Sequence, residues 1–240
     1  MRLIFVFCLI AAKAHAADSK AKPQDTQVWE PVPALVNPYP VPSDALILFD
    51  GRHIDAWTTD EDKPVQWAVQ NGELQTRPNA KSIFTKAAFC DIQLHIEWKT
   101  PSFNKAEKNA QKQGNSGIFF QRRYELQVLN SYENPTYVNG QAAAIYKQSP
   151  PLVNASLPPN QWQQYDVIYH APRFKENGEL EKKANITVLH NGVLVQDHFE
   201  LLGVTRHIGQ PAYQAHGCAP ILLQNHGQDI SYRNIWVRPI

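Results

Sequence analysis

Asp91-Ile92-Gln93-Leu94-His95-Ile96-Glu97-Trp98 places an apolar residue at every second position. Successive side chains of a strand point to opposite faces. Ile92, Leu94, Ile96 and Trp98 therefore form a face for a core, while Gln93, His95 and Glu97 form a polar face. Outward from this stretch, short segments with the same period of two recur from Leu46 onward, separated by Gly, Pro and Asn. Helical periodicity is nearly absent. Such a pattern belongs to a sandwich or barrel of short strands.

Two hairpins are marked by their turns. Asn71-Gly72 separates Trp67-Ala68-Val69 from Glu73-Leu74, and Asn191-Gly192 separates residues 186–189 from 193–195. Asn-Gly is the preferred pair for a type I′ turn, whose two central residues need positive φ. Further strands are expected over 118–121, 125–129, 164–169, 221–224 and 231–238. About a dozen strands in all make a two-sheet sandwich. Residues 101–113 read as a solvated surface insertion. The connection 134–161 carries Pro135, Pro150, Pro151, Pro158 and Pro159, too many breakers for a helix of any length. Long irregular connections in compact domains tend to carry function.

Before this domain, Met1-Arg2 is followed by an apolar run over 3–12 and by Ala14-His15-Ala16, the pattern of a cleaved export signal over 1–16. The run is too short to span a bilayer. Residues 17–43, rich in Pro, Lys, Gln and Ala, read as an extended lead-in, and the domain occupies 44–240. About 220 residues remain after cleavage, which suits one large all-β domain. The expected location is the periplasm or the outside of the cell, with no membrane anchor. A net charge of +1, with 23 basic and 22 acidic residues and no basic stripe, argues against a nucleic-acid partner. The oligomeric state is not encoded in any visible pattern. Cys90 and Cys218 could pair in an oxidising compartment or stay as two separately buried thiols.

Chemistry-bearing residues gather in two places. Gly114-Asn115-Ser116-Gly117 opens a strand, and the next strand, Tyr124-Glu125-Leu126-Gln127-Val128-Leu129, puts Glu125 and Gln127 on one face. A carboxylate and an amide two residues apart can meet one small polar ligand. Near the C-terminus, Gln224 and His226 share a face opposite Ile221 and Leu223. His190, His198, His207 and His216 show no metal-ligand spacing, and no metal residues are assigned. There is no G-x-S-x-G elbow and no phosphate-cradling glycine loop. Among the tryptophans, Trp57 and Trp162 lie in loop-like sequence and could offer a stacking face to a sugar, whereas Trp98 and Trp236 sit on apolar faces.

Leu48-Phe49-Asp50-Gly51 with Trp57, Gly114-Asn115-Ser116-Gly117-Ile118, the run from Tyr124 through Asn130-Ser131-Tyr132, Ala144-Ile145-Tyr146, Leu223-Gln224-Asn225-His226-Gly227, and Arg233-Asn234-Ile235-Trp236 together resemble the 3-keto-disaccharide hydrolase family. Asn130 and Asn225 depart from it, at positions where the family often has Asp. The resemblance implies an all-β, concanavalin-like antiparallel jelly-roll sandwich acting on glycosides already oxidised to a ketone at C3. A C3 ketone acidifies the C2 proton and makes the C1 substituent a β leaving group, so a general base and a proton donor suffice. On this reading Glu125 is the base and His226 the acid or enolate partner. Asn115, Gln127, Tyr146, Lys147 and Gln224 meet substrate hydroxyls, and Trp57 lines the sugar. Glu97 is a second carboxylate; as a sheet neighbour of Glu125 it would allow direct hydrolysis by a carboxylate pair. No cofactor is called for, though Ca²⁺ or another divalent cation could help to polarise the ketone without recognisable spacing. A non-catalytic carbohydrate-binding module on the same sheet is the competing expectation, and an adhesion domain the third.

Overall fold

The computed structural model describes residues 22–60, 63–103, 107 and 109–240. The 1–16 segment read as an export signal lies outside them. Residues 22–36 belong to a separate unit whose only regular element among the described residues is a 3₁₀ turn at Pro23–Thr26. Residues 37–240 form the sandwich. No helix among the described residues is long and apolar enough to cross a membrane.

Fifteen strands follow one another in this unit. They are β1 (Leu46–Phe49), β2 (Trp57–Thr58), β3 (Ala68–Gln70), β4 (Glu73–Gln75), β5 (Ile83–Thr85), β6 (Ile92–Lys99), β7 (Ser116–Phe120) and β8 (Tyr124–Val128). There follow β9 (Gln163–His170), β10 (Arg173–Phe174), β11 (Leu180–Lys182), β12 (Asn185–His190), β13 (Val193–Glu200), β14 (Leu222–Leu223) and β15 (Ser231–Pro239). The large sheet runs β13-β12-β9-β6-β15-β4-β3, with β1 also paired to β15; the smaller runs β2-β5-β14-β7-β8, and β10 pairs β11. All these pairings are antiparallel.

The period of two decides which side of each sheet is covered. In β6, Ile92, Leu94, Ile96 and Trp98 are buried as the alternation requires. Their counterparts in the small sheet are Ile118 and Phe120 of β7 and Tyr124, Leu126 and Val128 of β8. Phe120 stacks on Tyr169 of β9 at 4.6 Å between ring centroids, so these faces meet across the sandwich. Three tyrosines of the large sheet reach over with their hydroxyls. Tyr165 Oη donates to Gln127 O at 2.9 Å, Tyr169 Oη donates to Gln121 Oε1 at 2.9 Å, and Tyr232 Oη shares a 2.7 Å bond with Ser116 Oγ. Each satisfies a polar group that would be costly to bury alone.

Both Asn-Gly hairpins form, with Asn71 and Gly72 at φ +53° and +77° and Asn191 and Gly192 at +52° and +79°. Of the Gly-Asn-Ser-Gly segment, Ser116 and Gly117 already belong to β7. The strand expected over 221–224 shortens to two residues. Cys90 and Cys218 are joined in a disulfide that spans 128 residues of sequence, which settles the alternatives left open by the sequence.

Candidate active site

With the inner face of the small sheet committed to the core, the residues between those inner ones point the other way. Register places Gly117 opposite Gln127 and Phe119 opposite Glu125, and Leu222 opposite Phe119. Asn115, Gln224 and His226 continue this face just beyond the strand ends. Two irregular segments fold over it. Residues 141–149 bond along the free edge of β8, through Gln127 N to Ala144 O and Tyr146 N to Glu125 O. Residues 201–218 join the same edge, with Thr205 N donating to Arg123 O and Glu125 N donating to Thr205 Oγ1 at 2.9 Å. The result is a pocket of about 240 Å³ lined by Asn115, Phe119, Glu125, Gln127, Tyr146, Thr205, His207, Gln224 and His226.

Glu125 is the single carboxylate in that lining and is 6% exposed. No group among the described residues donates a hydrogen bond to its carboxyl, and burial alone pushes its pKa up to about 8. Its side chain lies flat over Gly117. A Cβ at Gly117 would stand 2.6 Å from Glu125 Oε1 and 2.8 Å from Phe119 Cε2, so only glycine leaves room for the carboxyl. Gln127 and Gln224 supply polar atoms without partners: Gln127 Oε1 and Nε2, and Gln224 Oε1, are buried and unbonded. Buried amides of this kind carry an unmet demand for hydrogen bonds. Asn115 is anchored by Nδ2 to Gln111 O at 2.7 Å. Tyr146 Oη lies 2.9 Å from Tyr137 Oη and 3.2 Å from His207 Nδ1. Burial, reinforced by Tyr137 and by the charge of Glu125, raises its pKa and keeps the phenol protonated.

Six sequence candidates thus come together: Glu125, His226, Asn115, Gln127, Tyr146 and Gln224. Lys147 stands next door, in a neighbouring pocket, where its Nζ donates to His207 O at 2.6 Å. Glu97 and Trp57 are elsewhere. Glu97 lies on the outer face of the large sheet, whereas Glu125 is on the outer face of the small one, so the two carboxylates cannot act as a pair. Burial would raise the Glu97 pKa, but Asn234 Nδ2 at 2.9 Å and Arg233 Nε at 2.6 Å outweigh it and hold the group below its ordinary value. Trp57 is 3% exposed and donates Nε1 to Leu48 O, so its ring belongs to the core and offers no sugar platform. Trp162, the other open tryptophan, is overlain by Arg233 and Lys99. Sequence reasoning passed over Phe119, Thr205 and His207. Phe119 was recoverable from the alternation of β7, but Thr205 and His207 come from an irregular stretch with no period to read. Asn225 holds its loop by donating Nδ2 to Arg77 O and Ala80 O, which an aspartate could not do. Among the described residues no three His, Cys, Asp or Glu side chains cluster as metal ligands.

Known proteins bear on this geometry. A structure from Parabacteroides distasonis ATCC 8503, named a "putative glycosyl hydrolase", matches with a TM-score of 0.89 and 43% identity, over 93% of this chain and 99% of its own. A second from that organism, of the same name, matches with a TM-score of 0.61 and 16% identity over 82% of this chain and 94% of its own, which speaks for the fold. No curated protein matches the chain. The family model described as the 3-keto-alpha-glucoside-1,2-lyase-like domain matches residues 44–238, nearly the whole sandwich, and the chain belongs to that family.

Proposed function

We propose that this protein cleaves the glycosidic bond of 3-keto-glycosides, 3-keto-disaccharides among them, by proton abstraction at C2, elimination at C1 and hydration. One observation carries the reading: a lone, buried, unpaired carboxyl faces a pocket in which both polar atoms of the Gln127 amide and Oε1 of Gln224 have no partner. Such a carboxyl is a stronger base than an exposed one once ionised, which suits a carbon acid. Glu125 takes the C2 proton, and its electron pair moves into an enolate across C2 and C3. The Tyr146 hydroxyl, kept protonated, donates to the enolate oxygen. The enolate reforms the ketone as the C1–O bond breaks and His226 gives its proton to the departing oxygen, leaving a C1=C2 enone. Water adds to C1, Glu125 exchanges its proton with solvent while the enone is bound and then protonates C2, and the water's surplus proton restores His226. The sum is hydrolysis, with 3-keto-sugar and alcohol as products. Asn115, Gln127 and Gln224 hold the sugar hydroxyls.

A binding module would need an exposed aromatic platform, and Trp57 and Trp162 do not provide one. The disulfide supports an oxidising compartment outside the cytoplasm as the place of action. Incubation of the purified protein with 3-keto-trehalose or a 3-keto-glucoside in heavy water should release 3-keto-glucose carrying solvent deuterium at C2. Release without deuterium would replace elimination by direct displacement, and no release from any 3-keto-glycoside would sink the enzyme reading.

A further inference from the structure

A second pocket, of about 500 Å³, adjoins the first. Tyr146 and His207 line both and form the wall between them, with Tyr146 Oη 3.2 Å from His207 Nδ1. If the oxidised ring occupies the pocket over Glu125, as the proposed reaction requires, the group on C1 has this neighbouring space to enter. Its lining has a definite electrical character. Lys147 and Arg206 both contribute to it, and no carboxylate does. The Lys147 ammonium is fixed by its 2.6 Å bond to His207 O and lies over the Tyr137 and Tyr146 rings, neutral partners all, and no carboxylate among the described residues pairs with it. Arg206 is exposed, and no ion pair or hydrogen bond among the described residues engages its guanidinium. A guanidinium on a pocket wall suits the planar oxygens of a carboxylate or phosphate.

We propose that this second pocket receives the leaving group and favours one that carries a negative charge, a carboxylate or a phosphate. Both cations are exposed, so solvent and salt screen them, and the preference is correspondingly modest, about fivefold over an uncharged group of the same shape. Its origin is electrostatic, so it should shrink at high ionic strength.

The test uses 4-hydroxybenzoate and its uncharged amide, 4-hydroxybenzamide, as free leaving groups titrated into the whole protein and into the Arg206→Gln variant by calorimetry. The carboxylate should bind about fivefold tighter than the amide to the parent protein, with the ratio falling to about twofold or less in Arg206→Gln and in high salt. Equal binding of the two compounds, or a preference that survives Arg206→Gln unchanged, would overturn the proposal. The 3-keto-glucosides of the same two phenols separate this outcome from the fate of the proposed reaction. The ratio of kcat/KM for the carboxylate-bearing over the amide-bearing glycoside should fall in Arg206→Gln relative to the parent. If neither glycoside is cleaved by any form, the reaction assignment fails, and the binding ratio still judges the pocket.

Discussion

A carboxyl group whose pKa is pushed up to about 8 is mostly protonated at neutrality. If Glu125 is the base, kcat/KM on a 3-keto-glycoside should rise as pH is raised through neutrality toward about 8, measured as a pH–rate profile under subsaturating substrate. The same shift has a cost in stability. Protonated Glu125 is fully compatible with its dry surroundings below pH 4.5, the ordinary value, and stability is then lost steadily as pH rises from there toward 8. Glu125→Gln removes that loss. The variant should fall roughly 10²–10⁴-fold in turnover yet melt at a higher temperature than the parent at pH 7 to 8, with the gap closing near pH 4.5. Equal melting temperatures at all pH values would mean that the carboxyl is not desolvated as described. Glu125 and Gln127 were legible in the sequence because two residues apart on a strand means one shared face. His207 was not, since its place depends on how residues 201–218 fold back over the sheet, and no local period encodes that.

At the scale of elements, the site is a contact between two strands. Gly117 of β7 and Glu125 of β8 share the outer face, and the carboxyl lies where a Cβ of residue 117 would be. Gly117→Ala should therefore reduce kcat by about one to two orders of magnitude with only a small loss of stability, because the crowded atoms belong to the base and to the Phe119 ring rather than to the backbone. A circular dichroism melt beside the kinetic assay distinguishes this from unfolding. The same element logic explains the misplacement of Glu97. Alternation in β6 assigns it correctly to a polar face, but a period of two specifies a face of a strand and not the sheet to which the strand belongs. Sheet membership follows from pairings between distant segments, β6 with β9 and β15, β8 with β7. Nothing in residues 91–98 announces them. The hairpins, by contrast, were fully readable, because Asn-Gly acts over four residues.

For the whole molecule, the disulfide ties the start of β6 to the irregular segment that leads into β14, closing a loop of 128 residues of sequence. Replacing Cys90 and Cys218 together by serine should lower the free energy of unfolding by about 2–4 kcal/mol, read as a shift of the urea midpoint. Tyr165, bonded across the interior to Gln127 O, holds the reacting strand from behind, and its outer edge is held differently. Leu126 is paired with Ile118 inside the sheet, whereas the Glu125 amide depends on one hydroxyl, that of Thr205. Two adjacent amide protons on one strand are thus released by different events. Exchange at Leu126 with solvent deuterium awaits opening of the sandwich, and exchange at Glu125 needs only the departure of residues 201–218. The second rate measures how often the cover over the carboxyl lifts, and so how often substrate can enter.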